Sequence, residues 1–589
     1  MKYRINSDLD EASAGAEVLI VGGGIIGAAV FRELCLDGLN AVLVEKDDFC
    51  GGVSAGSTEM AHGGFRYLLT LSDWSLVRES LAEREILHRI APHLVRRLNF
   101  YMPLYRGDGM YFDPSPGWMN LPEARWKIGG ARGFGTAMVA AGMSLYRLLA
   151  AGEAKRSKAG ASRDDLAWRK MPPGEALGLG LNLNPEGMAA CFRYTDSKIE
   201  DVERLVVENI LSGLEHARER GLACAASNAT AFAALDRGAA FVRDEAKEYR
   251  FKPKVVVAAA GAEINGVSGL AGRPAEDIHL VSGTHLIAPR KIWSGADPSA
   301  AVAWWTGGKV MFCISKGADR LLAGTSERYI PPGEAGLRDL NHREDVEEML
   351  RRVRRVLPGF EFDASRHPYY TRARPLRPER GQLARGESPT RFSRRDYVRA
   401  TGGVIAVTGK IGPSRRLAER AAEMVFRALG RPKPTSRTAR EKLYGGALGD
   451  ATAEEYAASF AEKTAAGRGD TGPAAGRALA CCARRYGSRA PDVVEGASSE
   501  ELMPIDPECP DSQPLRALLY SFSVEGARSL VHAFKRTGVD RHIGEGVAAA
   551  GRAADYLAAK LRWDEAKKRR ETELYREFIA VRKRLAPRT

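Results

Sequence analysis

Residues 17–45 read EVLIVGGGIIGAAVFRELCLDGLNAVLVE, and this stretch decides the fold class of the chain. The apolar run before the glycines and a second one at 41–44 predict two β-strands, and the residues between them predict a helix. Gly22 permits the tight turn after the first strand, Gly24 lets a ligand approach the backbone, and Gly27 lets helix and strand pack closely. The stretch therefore predicts a βαβ unit whose helix N-terminus binds a pyrophosphate.

The end of the second strand and two distant strand ends indicate which dinucleotide binds. Glu45 stands where such units place the carboxylate that binds ribose hydroxyls. The loop after it is rich in hydroxyl groups and backbone donors. Two strands predicted much later in the chain end at Gly261 and Gly409. FAD is long enough to use all of these features. The predicted cofactor-binding residues are Gly22, Gly24, Gly27, Glu45, Lys46, Ser54, Ser57, Thr58, Gly261 and Gly409.

The hydrophobic pattern divides the 589 residues into three regions. Residues 16–430 alternate apolar runs with helical segments, which predicts an α/β module with a parallel sheet covered by helices. Residues 431–472 contain the Gly, Pro and polar residues typical of a linker. Residues 473–589 have helical apolar spacing, which predicts an all-α C-terminal domain with a basic tail.

Charge and cysteine content limit the partners of the chain. The net charge of +14 favours phosphates, anionic lipid or nucleic acid, but no nucleic-acid-binding module is recognised. The densest positive run, 567–588, is either a solvated helix or a contact with anionic membrane. The eight cysteines lack metal-ligand spacing, so no metal site is predicted. A polar N-terminus and the lack of a long apolar stretch predict a cytoplasmic protein, with peripheral contact at the inner face of the cytoplasmic membrane as an option.

Four short motifs connect the chain to a known family. Residues 61–68 read AHGGFRYL, residues 282–285 read SGTH, residues 374–376 read RPL, and residues 409–410 read GK. In order and rough spacing over the α/β module, these motifs resemble the FAD-dependent, aerobic-type glycerol-3-phosphate dehydrogenases. The resemblance implies a fold in which a Rossmann-like, FAD-binding parallel sheet in residues 16–430 is interleaved with an α+β substrate domain. It also implies a flavoprotein that oxidises sn-glycerol 3-phosphate to dihydroxyacetone phosphate by hydride transfer to FAD and passes the electrons to membrane quinone.

The resemblance also implies roles for individual residues. A dianionic phosphate beside a flavin needs several permanent cations, and the family's substrate contacts correspond here to Arg66, Tyr67, Arg374 and Arg395. Removal of the hydroxyl proton needs a base, and histidine titrates in the right range. The candidate catalytic residues are His62, His285 and Lys410.

Some positions depart from the family pattern and leave alternatives open. Glu59 replaces a cation, Arg372 replaces a glycine, and Gly412–Ser414 differ from the family's turn. The chain could therefore be a related FAD-dependent oxidoreductase or oxidase acting on another hydroxy or amino acid, or a catalytically silent binding protein with or without flavin. The sequence leaves open the electron acceptor, quinone or oxygen, and the oligomeric state, monomer or homodimer.

Overall fold

The structure is a computed structural model. It describes residues 4–6, 9–64, 74–106, 110–112, 126–128, 134–157, 167–272, 278–306, 309–331, 342–378, 392–393, 395–467, 472–509, 512–542 and 544–582. Two predicted substrate-binding residues, Arg66 and Tyr67, lie outside this part of the chain.

The described elements are strands and helices that alternate in the first two thirds of the chain, followed by helices. The strands are β1 Val18–Val21, β2 Ala41–Val44, β3 Val95–Tyr105, β4 Met110–Phe112, β5 Trp126–Ile128, β6 Arg169–Met171, β7 Met188–Ile199, β8 Ala225–Ser227, β9 Ala231–Asp236, β10 Ala239–Arg243, β11 Glu248–Phe251, β12 Val255–Ala258, β13 His279–Pro289, β14 Ala300–Thr306, β15 Lys309–Lys316, β16 Arg320–Gly324, β17 Arg328–Ile330, β18 Tyr369–Leu376, β19 Tyr397–Thr401 and β20 Val404–Thr408. The helices are α1 Leu9–Gly15, α2 Ile25–Leu36, α3 Trp74–Ile90, α4 Phe134–Ser157, α5 Pro173–Leu177, α6 Val202–Glu219, α7 Ile264–Leu270, α8 Arg343–Arg354, α9 Ser414–Ala428, α10 Ala453–Ala466, α11 Gly472–Tyr486, α12 Ala490–Val494, α13 Arg516–Ser523, α14 Leu530–Thr537, α15 Ala550–Leu561 and α16 Glu565–Arg582.

The predicted βαβ unit is β1–α2–β2, at the centre of a six-stranded sheet. The strand order is β19–β20–β12–β1–β2–β8, parallel except for the β19–β20 pair. All four residues of β1 are buried because helices α2, α6 and α9 cover one face of the sheet and a small sheet, β9–β11, helps to cover the other. The order brings the carboxyl ends of β2 and β12 to either side of the glycine turn after β1, as predicted for an α/β FAD-binding fold.

A second, nine-stranded sheet forms the α+β part of the module. Its order is β17–β13–β16–β15–β14–β3–β7–β6, and β18 pairs with the other edge of β13. One face packs on α5 and α8, and the opposite face packs on α3 and α4. Its strands come from widely separated parts of the sequence, so the substrate region is interleaved with the cofactor-binding region as predicted.

The segment 431–472 differs from the predicted linker. It contains α10, which begins with a capping box in which Thr452 and Glu455 each accept a hydrogen bond from the other's backbone amide. Leu443 and Tyr444 are buried in the core that contains α2 and α6. The alanine-rich composition here supports a helix, since alanine has the highest helix propensity. The segment is packed structure, while the domain bounds 16–430 and 473–589 remain predictions.

The basic C-terminal stretch begins inside a packed helix. Tyr575 and Ile579 of α16 are buried against α14 and α15. The buried carboxylate of Glu571 accepts a hydrogen bond from the Leu530 amide at 2.8 Å. Through Arg582 the stretch is therefore part of the all-α region, and residues 583–589 lie outside the described part of the chain.

A buried ion pair joins the C-terminal helices to the loop that follows β2. Arg536 of α14 donates to both carboxylate oxygens of Asp48, at 2.5 and 3.1 Å, and both side chains are almost fully buried. The Asn228 amide group, just after β8, donates to the same carboxylate at 2.9 Å. Burial alone would raise the pKa of Asp48, but Arg536, His532 and Lys535 hold it well below its usual value. Three parts of the chain are thus tied together at one carboxylate.

Replacement of Asp48 by Ala is expected to destabilise the protein by about 3–5 kcal/mol, because it leaves the Arg536 charge buried and unpaired. Urea denaturation of the purified protein measures the effect. Lys46→Ala is the matched control in the same loop, since it removes a half-exposed ion pair with Glu263 and should cost less than about 1 kcal/mol. Equal denaturation midpoints for the two variants would contradict the assigned role of Asp48.

Candidate active site

The turn between β1 and α2 has no room for side chains. Gly22 has a φ of 110°, and a Cβ atom there would lie 2.6 Å from the carbonyl oxygen of Ala259. A Cβ atom on Gly27 would lie 1.9 Å from the carbonyl oxygen of Gly22. These two glycines let α2 begin directly against the ends of β1 and β12, which places its N-terminus at the carboxyl edge of the sheet.

The N-terminus of α2 has the groups that a dinucleotide phosphate needs. Gly24 caps the helix without a side chain, and a Cβ atom there would meet only the Ser54 hydroxyl, 3.1 Å away. That hydroxyl oxygen accepts a hydrogen bond from the Ile25 amide at 3.1 Å. Backbone amides at a helix N-terminus attract phosphate oxygens through the same geometry. These residues therefore fit the pyrophosphate of FAD.

Glu45 lies at the carboxyl end of β2, next to the glycine turn. Its carboxylate accepts hydrogen bonds from the amides of Gly23 at 2.7 Å and Asp47 at 3.0 Å. Burial raises the pKa of Glu45, and these two amides oppose the increase. A carboxylate has about four acceptor positions, so Glu45 keeps capacity for the ribose hydroxyls that the sequence analysis assigns to it.

Other predicted cofactor residues lie around the same edge. Lys46 forms an ion pair with Glu263, which follows β12. Gly261, with a φ of 55°, lies beside Val53: a Cβ atom on the glycine would be 3.7 Å from the valine side chain. The loop after β2 and the end of β12 are thus in contact. At the end of β20, Gly409 lies against the Asp396 carboxylate, which a Cβ atom would approach to 2.6 Å.

The two candidate catalytic histidines lie over one face of the nine-stranded sheet. The register places Tyr370, His285, Gly324 and Phe312 opposite one another on four successive strands, so their side-chain positions share a face. The His62 ring stacks on Phe312 with centroids 6.3 Å apart, and the His285 ring stacks on Tyr370 at 5.2 Å. A Cβ atom on Gly324 would lie 2.2 Å from the His285 ring. The absence of a side chain on Gly324 therefore makes the space that His285 occupies.

The imidazole of His285 is buried and uncharged. Its Nε2 lies 2.9 Å from the Thr58 hydroxyl, and its Nδ1 has no hydrogen-bond partner among the residues that the structure describes. Burial, together with the cations Arg374, Lys316 and Arg372, lowers the pKa of His285 to about 3. One ring nitrogen is therefore buried without a hydrogen-bond partner in the described part of the chain.

Arg374 projects from the same sheet face as His285. Its Nη2 donates to the Ser326 carbonyl oxygen at 3.2 Å and lies 3.6 Å from a Glu327 carboxylate oxygen. A Cβ atom on Gly283 would lie 3.0 Å from this Nη2, so the glycine lets the guanidinium lie across β13. The structure thus brings a predicted phosphate ligand and a predicted catalytic histidine onto one surface.

Lys410 and Arg395 differ in how close they come to this surface. Burial raises the pKa of Asp396 to about 6, and the neighbouring Lys410 opposes the increase. The segment after Lys410 reaches residues 61–64, which contain His62 and are here called the histidine turn. A Cβ atom on Gly412 would lie 3.9 Å from Ala61 Cα. Arg395 is exposed just before β19. Of these two predicted residues, Lys410 is the one in the segment next to the histidine turn.

The charge of Glu59 is neutralised within the protein. The buried carboxylate forms an ion pair with Lys316 of β15 and lies 3.6 Å from Arg541, in the turn after α14. Burial lowers the pKa of Lys316 to about 8, and Glu59 opposes the decrease. The replacement of a cation by Glu59 therefore adds no net negative charge here. A lysine in an apolar strand was the signal for this pair, but its partner is far away in the sequence.

A buried hydrogen-bond network that the sequence did not predict holds the segment next to His62. The Gly63 amide donates to the Asp196 carboxylate at 3.1 Å. The same carboxylate accepts hydrogen bonds from Arg84 at 3.1 Å and from the Tyr146 hydroxyl at 2.9 Å. All four residues are buried, and a carboxylate inside strand β7 was the signal that could have revealed the network. It fixes the backbone next to His62.

Comparisons with known proteins agree with this geometry. Residues 17–414 match the family model DAO, described as FAD dependent oxidoreductase. D-erythritol 1-phosphate dehydrogenase of Brucella abortus is 29% identical over 511 residues, covering 82% of this chain and 87% of that protein. Glycerol-3-phosphate dehydrogenase of Synechocystis sp. is 27% identical over 451 residues, covering 73% of each chain. The solved structure of glycerol-3-phosphate dehydrogenase from Bacillus halodurans, complexed with FAD, has a similar fold, with a TM-score of 0.70 and 19% identity over 98% of this chain and 97% of that chain.

Replacement of Gly24 by Val is expected to abolish flavin binding while the fold is kept. The residue has φ −78° and ψ −175°, which valine also adopts, but the side chain would fill the space at the α2 N-terminus. The purified variant should lack the visible flavin absorbance of the wild type and keep its circular dichroism. Gly52→Ala is the control, since a Cβ atom there contacts nothing within 4 Å. Full flavin occupancy in Gly24→Val would mean that the glycine serves only the fold.

Acid is expected to destabilise the protein partly through His285. Its pKa is about 3 in the folded protein and ~6.5 when unfolded, so between these values the unfolded state binds more protons and stability decreases as the pH falls. At pH 4.5 this amounts to about 2–3 kcal/mol relative to pH 7, from ~1.4 kcal/mol per pH unit. Denaturation of wild type and His285→Asn at both pH values measures it. The variant should lose less stability by that amount, and an identical loss would refute the assignment.

Proposed function

The chain belongs to the family of FAD dependent oxidoreductases, and from this premise we propose that it oxidises sn-glycerol 3-phosphate to dihydroxyacetone phosphate. FAD is its cofactor, as the sequence analysis predicted. The observation that supports the choice of substrate is the shared sheet face of Arg374 and His285, with the His62 ring stacked on the same face. A cation binds the phosphate of a phosphorylated alcohol, and an imidazole can accept the proton of its hydroxyl group, so this face offers the groups that such an oxidation uses.

Arg374 and Lys410 supply the positive charge for the substrate phosphate in this proposal. A guanidinium binds a phosphate through two parallel hydrogen bonds, and an ammonium acts as a point charge. Arg66 and Tyr67 are proposed to complete the site on the strength of the sequence resemblance. Arg395, which is exposed, is the weakest member of the predicted set.

We assign the two histidines different roles toward the substrate hydroxyl group. When bound, FAD accepts a hydride from the carbon whose hydroxyl is oxidised. With a pKa of about 3, His285 is a weak proton acceptor, and we assign it the role of orienting the hydroxyl through Nδ1. His62 is less buried and lies beside the Lys410 segment, so we assign it removal of the hydroxyl proton. Asp196 keeps the backbone of that histidine in place.

Membrane quinone is the proposed electron acceptor. In the part of the chain that the structure describes, none of the helices has the length and hydrophobicity to cross a bilayer. Exposed Lys567, Arg569 and Arg570 of α16 offer positive charge to anionic headgroups, each worth ~1 kcal/mol near such a surface. Peripheral contact with the inner face of the cytoplasmic membrane would give the reduced enzyme access to quinone.

A longer polyol phosphate is the second candidate substrate. The Brucella relative, which covers more of this chain than the Synechocystis relative does, is named for D-erythritol 1-phosphate. Both named substrates combine a terminal phosphate with secondary hydroxyl groups. Either substrate could bind on the same sheet face. The residues around that face would set how many carbon atoms the site accepts.

Anaerobic reduction of the bound flavin tests the proposal. The protein is mixed with sn-glycerol 3-phosphate, D-erythritol 1-phosphate, glycerol or a 2-hydroxy acid, and flavin absorbance is followed. Bleaching by the first compound at the lowest concentration supports the proposal, and preference for the second favours the longer substrate. Bleaching only by the hydroxy acid would overturn both. Reoxidation by a soluble quinone, compared with air, then identifies the acceptor.

Replacement of Arg374 by Ala is expected to lower kcat/KM for sn-glycerol 3-phosphate by roughly 10²- to 10⁴-fold. Two charge-assisted hydrogen bonds of ~1.5–3 kcal/mol are lost, at ~1.4 kcal/mol per tenfold. Glycerol should remain an equally poor substrate, and the flavin should stay bound. Arg250→Ala, at an exposed position on β11, is the control. Normal turnover of sn-glycerol 3-phosphate by Arg374→Ala would refute the phosphate site.

Charge reversal at Lys567, Arg569 and Arg570 is expected to weaken binding to anionic vesicles. Removal of residues 567–589 is a poor test because it would also remove Tyr575 from the core. Co-sedimentation with vesicles should decrease in the triple Glu variant, and wild-type binding should decrease as salt rises. Vesicles of neutral lipid are the control. Equal pelleting of the variant and the wild type would refute the contact.

A further inference from the structure

Arg372 occupies a position between the loop after β2 and the sheet face of the candidate site. It lies two residues before Arg374 on β18, so both side chains project from the face with His285. Its aliphatic part lies on the backbone of Gly56, where a Cβ atom would be 2.1 Å from Arg372 Cγ. The same loop supplies Thr58, which contacts His285. Arg372 therefore borders the same space as these residues.

The guanidinium of Arg372 has no carboxylate partner within the described residues. Its hydrogen bond there is from Nη1 to the Thr371 carbonyl oxygen at 3.0 Å, and its central carbon lies 6.0 Å from the centre of the Tyr370 ring. Burial and the charge of Arg582 lower the pKa of Arg372. A cation that is largely removed from water and near other cations is costly unless an anion compensates it.

The neighbouring charges point to an anion from outside this set of residues as that partner. Lys316 is neutralised by Glu59, and Arg374 has Glu327 at 3.6 Å. Arg372 differs from both, because no carboxylate in the described part of the chain compensates its charge. Side chains two residues apart on a strand start about 7 Å from each other, and two long arginine side chains from that spacing reach a single phosphate group.

We propose that Arg372 is a specificity-determining residue that binds the substrate phosphate together with Arg374. The proposal rests on the proposed function and extends it: the site selects a dianionic phosphate ester over a monoanionic carboxylate. The alternative source of a phosphate is the cofactor. The substrate is favoured because Arg372 shares its face with Arg374 and His285, whereas the amides that fit the FAD pyrophosphate lie at the N-terminus of α2.

Binding of inorganic phosphate to the FAD-loaded protein tests the role of Arg372. Calorimetric titrations at pH 8 and pH 5 compare wild type, Arg372→Gln, Arg372→Lys and Arg374→Ala. The glutamine keeps an aliphatic stem on Gly56 and removes the charge. We expect Arg372→Gln to bind phosphate 10- to 100-fold more weakly at pH 8, where the dianion predominates, and to lose most of the preference for pH 8 over pH 5. Arg372→Lys should retain most of both.

Two further measurements on every variant separate the possible outcomes: the affinity for FAD, and the circular dichroism spectrum in a buffer without sulfate. Unchanged FAD affinity and fold with weakened phosphate binding in Arg372→Gln supports the proposal. Wild-type phosphate binding in Arg372→Gln but not in Arg374→Ala overturns it and leaves the proposed function intact. Loss of FAD instead of phosphate overturns it by assigning the anion to the cofactor. No phosphate binding by the wild type would overturn the proposal for Arg372, whereas the proposed function is overturned only if sn-glycerol 3-phosphate and D-erythritol 1-phosphate both fail to reduce the flavin.

Discussion

The ion pair between Asp48 and Arg536 holds the cofactor-binding loop against the rest of the molecule. Asp48 lies three residues after Glu45, in the loop that must stay close to the N-terminus of α2 if FAD is to bind. The loop is rich in glycine and small residues and would lose much conformational entropy on ordering. The buried pair, together with Asn228, offsets that cost by fixing the loop to the C-terminal helices. In this way the all-α region fixes the loop after β2, which is predicted to bind the cofactor.

Glycines create the space in which the candidate site works. Gly22 and Gly27 bring strand and helix together closely enough for the α2 N-terminus to reach a phosphate. On the nine-stranded sheet, Gly324 and Gly283 make room for the side chains of two functional candidates, His285 and Arg374. A side chain at any of these positions would fill the space of a neighbouring group, so steric constraint and function coincide.

Charge balance separates the two departures from the family pattern. Glu59 forms an ion pair with Lys316 and lies near Arg541, so cations inside the protein balance its negative charge. Arg372 has no such match in the described part of the chain and lies beside Arg374. The first departure therefore leaves the field at the site nearly unchanged, while the second adds a cation where an anionic substrate is proposed to bind.

The sequence by itself determined the βαβ unit, the α/β class and FAD as the cofactor, because glycine spacing and apolar runs act over fewer than about 30 residues. It also suggested His285 and Arg374 as candidates, and their place on one sheet face follows from the strand register, which no sequence motif shows. Only the tertiary structure decided that Lys316 neutralises Glu59 and that residues 431–472 pack as part of the core. Such pairings join residues hundreds of positions apart, and nothing local in either partner specifies the other.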